Sequence, residues 1–402
     1  MSQDRPAHSI LGASSAERWL ECPASVLLSA GQQSATSTYA AEGQAAHALT
    51  EMCFIQDDDP YSYIGDEFQS ELGPIEVDEE MADAAFVYLE LCREIGKAAK
   101  FCEVEKQVDV NDLWADGSQP ADMFGTSDFA AWGTKDRRLS IVDFKYGKGV
   151  AVDVEKLGKL NPQLLYYALG VLLSIKDGDA RPLWVDVYVC QPRADHPLGP
   201  IRKASISTLD LLAWGHETLK PGAEACFSGN PKAVVGDGCR WCPARGRCPA
   251  LRQVAQETAR VEFDALPPQP VDLSDAELGA ILDKTEIIRA FIDGVRGEAS
   301  SRIDRGGKVP GWKLVQKRGI RKWDNEKLVL GKLEDMGLPE DKAVSVKLKS
   351  PAQIEKLLKD KEAFETLTDH ISKDSSGTTL VRELDPRQAA AAGPASDFDP
   401  VD

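Results

Sequence analysis

Three charged residues in two adjoining apolar segments are the first place in this chain where residue type and spacing imply chemistry. Asp128 lies in Gly125-Thr-Ser-Asp-Phe-Ala-Ala-Trp132, Asp143 and Lys145 lie in Leu139-Ser-Ile-Val-Asp-Phe-Lys145, and a short polar run separates the segments. Both have the composition of strands, and the run between them reads as a turn. With Trp132 opposite Leu139, the register sets Asp128 opposite Asp143, with Cβ atoms about 5 Å apart. Asp143 and Lys145, two apart in a strand, leave the same face. Opposed like charges are destabilising, and half-buried carboxylates cost more unless paired or metal-bound. A divalent cation resolves that conflict. Oxygen-rich donors suit Mg²⁺ or Mn²⁺, which activate water and neutralise charge on a phosphate under attack. Lys145 is placed to orient or deprotonate that water, or to stabilise the developing oxyanion. Taken alone, the Asp-Phe-Lys triplet is common and reads more readily as ordinary ion pairs on a surface hairpin.

Two further features share the order of that pattern. Gln163 and Tyr167 are four apart, on one face of a helix after the Asp-Phe-Lys segment, where an amide and a phenol can hold a phosphate or a base. His47 lies on an earlier helix in Glu42-Gly-Gln-Ala-Ala-His47, with Glu51 one turn beyond. A second kind of chemistry appears in Cys239-Arg-Trp-Cys242-Pro-Ala-Arg-Gly-Arg-Cys248, three thiols in a turn-rich segment. That spacing is a metal-site signal and a poor disulfide arrangement. Spacing leaves both the fourth ligand and the choice between zinc and an iron-sulfur cluster open. Cys53, Cys92, Cys102, Cys190 and Cys226 read as small core residues.

The elements that must position these groups follow from the hydrophobic pattern. Helices are expected from Ser14 or Ser15 to Leu20, Tyr39 to Phe54 and Asp78 to Ala99. Strands are expected at Phe101 to Val110, Thr126 to Trp132, Leu139 to Phe144 and Leu183 to Gln191. Between the last two strands, Asn161 caps a helix with Pro162 in its first turn. This makes an α/β core of about 250 residues. Pro267 to Pro270 reads as a linker, Asp275 to Arg305 as a long helix, Val309 to Trp323 as a basic hairpin and Ser350 to Lys359 as a short helix. Gln388 to Asp402 has almost nothing to bury and is expected to be disordered.

Composition narrows the class. The first ten residues show no basic start followed by an apolar run, and the longest apolar stretch, Tyr166 to Ile175, is too short to span a bilayer, so neither secretion nor membrane insertion is expected. Nine cysteines, an odd number, suit a reducing cytoplasm. A net charge of −18 argues against coating nucleic acid by bulk attraction, yet Arg302 to Lys322 carries eight basic residues against one acidic. That stretch reads either as a solvated basic face or as a phosphate-binding strip, with Trp312 inside it and Trp323 at its edge. A Walker-type phosphate loop and a Gly-x-Ser-x-Gly elbow are both absent from the sequence.

In order and spacing, the chain resembles the PD-(D/E)XK nuclease superfamily over roughly residues 14 to 250, specifically RecB-like exonucleases and CRISPR-associated nucleases with an iron-sulfur cluster. The resemblance implies a restriction-endonuclease-like fold, a central mixed β-sheet flanked by helices, to which the residues beyond Leu251 add a C-terminal helical and basic extension. It implies His47, Asp128, Asp143 and the Phe144 carbonyl as metal ligands, Asp128, Asp143 and Lys145 as catalytic groups, and Gln163 and Tyr167 as DNA-binding. It also supplies a fourth cysteine, because Ser14-Ser-Ala-Glu-Arg-Trp-Leu-Glu-Cys22-Pro23 looks like the family's N-terminal element. Cys22, Cys239, Cys242 and Cys248 would then hold a [4Fe-4S] cluster. The expected organisation is a nuclease domain over 1–255, an extension over 256–385 and a tail over 386–402. The expected function is a DNase, an exonuclease in recombination or end processing in a bacterial or phage setting, acting beside a single-strand annealing protein or a helicase. Two other readings stand beside it, a catalytically weak nucleic-acid-binding accessory protein and a zinc-stabilised interaction module.

Overall fold

Residues 9–31, 38–176, 181–263 and 274–313 are described by the structure, a computed structural model. Nine β-strands are described. Five form a mixed sheet in the order β3-β4-β5-β8-β9: β3 Phe101–Asp109, β4 Phe124–Trp132, β5 Arg138–Phe144, β8 Trp184–Cys190 and β9 Ile201–Ser207. The β3, β4 and β5 strands form an antiparallel meander, β5 runs parallel to β8, and β9 returns antiparallel along β8. The parallel pair requires a crossover, which α5 Pro162–Ser174 supplies. Asn161 caps α5 by accepting from the Gln163 N–H at 2.9 Å, and Pro162 occupies the first turn, where no N–H is needed. Two small hairpins complete the strands, β1 Glu67–Ser70 with β2 Gly73–Glu76, and β6 Glu155–Lys156 with β7 Lys159–Leu160.

Helices cover both faces of the sheet. On one, α5 is buried along nearly its whole length and packs with α1 Ala16–Glu21, α2 Ala24–Ser29, α6 Thr208–Trp214 and α7 Lys220–Cys226 over Leu139, Ile141, Val185 and Val187. Gly170 lets α5 sit close, since a Cβ there would lie 2.8 Å from the Val108 Cβ. On the other face, α3 Thr38–Gln56 and α4 Glu79–Lys97 pack over Phe129, Val142 and Phe144. Asp78 starts α4 by accepting from the Met81 N–H at 2.8 Å, with Glu79 and Glu80 beside the helix's positive end.

The mixed α/β sheet flanked by helices expected from the sequence is therefore present. β9 was not expected, because Arg202 occupies an inward position of Ile201-Arg-Lys-Ala-Ser-Ile-Ser207 and breaks the apolar alternation. That arginine is 2% exposed and is satisfied by the Gln191 side chain and the Val152, Gly199 and Pro200 carbonyls. Both small hairpins and α2 were likewise not expected. Beyond the sheet, α8 Pro249–Phe263 and α9 Asp275–Asp304 follow, and α9 belongs to the same compact unit, 1–313, as the sheet. Among the described residues no helix is long and apolar enough to cross a membrane. The linker at 267–270, all but the first residues of the basic hairpin, the helix at 350–359 and the tail lie outside the described residues.

Candidate active site and cysteine loop

A break in hydrogen bonding at the middle of the sheet builds the site. The β4/β5 ladder pairs Phe129 with Val142, Ala130 with Ile141 and Ala131 with Ser140, which one step further places Asp128 across from Asp143. On the other side, Val104 pairs with Phe129 and Lys106 with Ser127, and the ladder skips the step between them, where Glu105 faces Asp128. Glu105 has φ +45°, a left-handed conformation costly for a residue with a Cβ. The Asp128 carboxylate takes the Phe144 N–H at 2.6 Å, a donor that the ladder would otherwise use. Three carboxylates, Glu105, Asp128 and Asp143, thus stand in a row on three adjacent strands.

From α3, the His47 Nδ1 approaches Asp128 Oδ1 at 3.6 Å and Glu105 Oε1 at 3.7 Å, and its ring packs against that of Phe144 with centroids 5.3 Å apart. One donor atom each from His47, Glu105 and Asp128 falls within a 4.8 Å group, the geometry of a metal-ligand set. The sequence had singled out His47 and Asp128 but not Glu105. Nothing in Phe101-Cys-Glu-Val-Glu-Lys106 separates Glu105 from Glu103 until the register with β4 is known. Asp143, expected as a ligand, lies against Lys145, whose Nζ is 3.0 and 3.1 Å from its two oxygens, and accepts from Gln163. The backbone group of Phe144 that meets Asp128 is its N–H.

Charge is concentrated here. Burial works against a charged His47 ring, but Asp128, then Glu105 and Asp143, outweigh it and raise its pKa to about 9. Burial also pushes the Asp128 carboxyl up, with His47 opposing and Asp143 adding to the rise. Lys145 loses solvation too, yet Asp143 and Asp128 hold its pKa above the ordinary lysine value, so it stays an ammonium. The carboxylates that raise His47 against its burial make the potential at this point of the sheet negative, which favours a cation.

The Gln163 and Tyr167 side chains close the site from α5. Gln163 Nε2 donates to Asp143 Oδ1 at 3.0 Å and to the Tyr167 hydroxyl at 3.1 Å, while its Oε1 accepts from Lys145 at 3.2 Å. Tyr167 is buried against β4 because Gly125 has no side chain: a Cβ there would lie 3.1 Å from Tyr167 Cε1 and 3.4 Å from the Ala13 Cβ. The glycine three residues before Asp128 therefore positions the phenol. Glu42, five residues before His47, lies 3.9 Å from Arg193.

The four cysteines come from two places. Cys22 follows α1, and Cys239, Cys242 and Cys248 lie in the loop before α8. Cys22, Cys239 and Cys242 line one small cavity with Arg18, Glu21 and Ser25. Burial raises the Cys239 thiol, with Cys242, Cys22 and Cys248 all close enough to add to the rise. The Val234 and Gly236 N–H groups point at the Cys22 and Cys239 sulfurs at 3.3 and 3.5 Å. The sulfurs do not draw into a group within 4.8 Å, as the His47 set does. All nine cysteines are free thiols, and Cys53, Cys92, Cys190 and Cys226 are core residues, with Cys102 half-buried.

Residues 8–388 match the family described as "Protein of unknown function (DUF2800)". The chain belongs to the DUF2800 family. A solved structure from Eubacterium rectale, described as a "putative exonuclease", is similar to this DUF2800 chain at 11% identity, with a TM-score of 0.33 over 57% of this chain and 87% of that one.

Proposed function

We propose that this DUF2800 chain is a metal-dependent nuclease that hydrolyses DNA phosphodiesters, acting as an exonuclease in recombination or end processing. The observation that carries the proposal is the row Glu105, Asp128, Asp143, flanked by His47 on one side and by Lys145, Gln163 and Tyr167 on the other. Three carboxylates on adjacent strands, Asp143 buried and Asp128 and Glu105 half-buried, with backbone strain at Glu105, are the pattern expected where a divalent cation and a phosphate are to be held. His47 and Asp128, with Glu105 beside them and Asp143 and the Phe144 carbonyl as the further expected ligands, would hold that cation, Mn²⁺ or Mg²⁺. Bound there, it would polarise a phosphoryl oxygen and lower the pKa of a water.

The protein's own groups do the rest. Asp143 and Gln163 together fix the Lys145 ammonium, so it meets a developing phosphorane charge without reorganising. Asp143, at the end of the carboxylate row, is matched by that ammonium and accepts from Gln163. Gln163 and Tyr167 present an amide and a phenol on the α5 side, the groups that would position the strand.

For the cysteines we propose a [4Fe-4S] cluster. N–H groups aimed at two of the sulfurs are the kind that tune such clusters. Free thiols of this kind fit a reducing cytoplasm, and with no motor motif in this chain a helicase or annealing protein would be a separate partner.

The test is digestion of end-labelled linear duplex beside a closed circle, with Mn²⁺ or Mg²⁺, comparing wild type with Lys145→Ala and Asp143→Asn. Linear DNA should be degraded and the circle spared, with both variants slower by at least about 100-fold. Equal rates in wild type and Lys145→Ala would sink the catalytic assignment. No turnover by wild type under any metal would leave a binding protein.

A further inference from the structure

The basic part of α9 and the cysteine loop meet. Gly294, in the middle of α9, lies against Gly246 of the loop so closely that a Cβ on Gly294 would sit 2.6 Å from the Gly246 nitrogen and 2.7 Å from the Arg245 Cγ. Two glycines 48 positions apart in sequence thus let a helix backbone and a loop backbone touch. That contact brings together two positively charged segments of a chain whose net charge is −18. Between Cys239 and Arg252 there are four arginines and no carboxylate; from Gly294 onward, α9 carries Arg296 and Arg302, with Arg305 and Lys308 just beyond. Glu298 lies between them, held below the usual carboxylate range first by its hydrogen bond to Arg302 and then by Arg247 and Arg305. Arg240, Arg247, Arg302 and Arg305 are exposed. At the tip of the loop Trp241 is 66% exposed, with the Arg240 guanidinium 5.0 Å from its ring centroid. The loop is also tied toward the catalytic side, since Lys156 of the β6–β7 hairpin, which leads into α5, reaches Asp237 at 3.5 Å.

An exposed indole costs solvation unless it has a use, and its flat face beside a guanidinium is what an unpaired base stacks on. The four exposed guanidinium groups outnumber the carboxylates among them, Glu298, paired with Arg302 at 2.8 Å, and Asp304, and so suit backbone phosphates; a local basic face persists on an acidic protein because salt screens the rest over about 10 Å. We infer that the cysteine loop and the second half of α9 form a binding surface for single-stranded nucleic acid, with a base stacked on Trp241 and phosphates on Arg240, Arg247, Arg302 and Arg305. The substrate class rests on the nuclease reading; the surface itself lies outside the carboxylate site. Its role is to hold the strand away from the chemistry, so it contributes affinity rather than turnover.

The test is fluorescence anisotropy of a labelled single-stranded oligonucleotide with the full-length protein, purified anaerobically and kept in EDTA so that nothing is cut. Trp241→Ala should weaken single-strand binding about tenfold, Trp241→Phe should restore most of it, and duplex binding should change little. Arg240→Gln with Arg247→Gln should weaken binding further and lower the salt slope by about 1.4, two phosphates at about 0.7 each. Melting curves matched to wild type exclude misfolding, and these exposed positions leave the core untouched. The inference is overturned if Trp241→Ala binds single strands like wild type, if the arginine variant keeps the wild-type salt slope, or if polyglutamate displaces the oligonucleotide as well as unlabelled DNA does. Because binding is read without metal, an inactive enzyme that still shows the Trp241 dependence would sink the nuclease proposal and uphold this one.

Discussion

Glu105 offers a test in which stability and function should move in opposite directions. Its φ of +45° costs a residue with a Cβ about 1–2 kcal/mol, which glycine avoids. Glycine loses about 0.5–1 kcal/mol of that advantage through the entropy of its unfolded chain. Glu105→Ala and Glu105→Gly both remove the carboxylate 3.7 Å from His47. With each partner about a third exposed, that ion pair contributes only about 0.5 kcal/mol, and relief of repulsion from Asp128 offsets it. In EDTA the glycine variant should therefore exceed the alanine variant by about 0.5–1 kcal/mol, roughly 2 °C in Tm, and equal or exceed wild type. Added Mn²⁺ at about 100 times Kd should stabilise wild type by about 2.7 kcal/mol and both variants far less. Thermal melts with and without Mn²⁺ read both effects. If the two variants melt together in EDTA, the backbone is not strained; if Mn²⁺ raises their Tm as much as that of wild type, Glu105 is not a ligand.

Three further outcomes are expected. Gly125→Ala should push the Tyr167 ring off β4, cost about 1–2 kcal/mol by overpacking and slow DNA hydrolysis through the loosened Gln163, measurable by denaturant melts and single-turnover assays. Gly170→Ala, whose Cβ would lie 2.8 Å from the Val108 Cβ, should cost about 2–3 kcal/mol without changing the rate of the folded fraction. Cys239→Ser should remove visible absorption and acid-labile sulfide from anaerobically purified protein, and colourless wild-type protein with stoichiometric zinc would replace the cluster by a zinc site.

Much of the core was legible because local rules govern it. The turn between Trp132 and Leu139 fixes a strand register, and the two-residue period carries that register to Asp128 and Asp143. Asn161 and Pro162 announce α5, whose 3.6-residue period sets Gln163 and Tyr167 on one face. The helices carrying His47 and Asp78 follow from apolar spacing and a cap. These features depend on neighbours within a few residues, which the sequence displays directly.

Other features depend on which distant segments touch. Glu105 becomes part of the site only because β3 lies beside β4 and its ladder skips one step there, so the same residue type two positions earlier has no such part. In sequence Gly125 only heads the segment that carries Asp128; its use shows when α5 folds back and presses Tyr167 against it. Arg202 defeats the strand pattern of β9, since the carbonyls and the Gln191 side chain that satisfy it come from other parts of the chain. The basic stretch beginning at Arg302 was ambiguous between a solvated face and a binding strip; packing of Gly294 on Gly246 joins its first residues to the arginines and tryptophan of the cysteine loop. Sequence alone determined the candidate chemistry, and tertiary structure decided its geometry, because side-chain type is local whereas close approach is set by how distant segments pack.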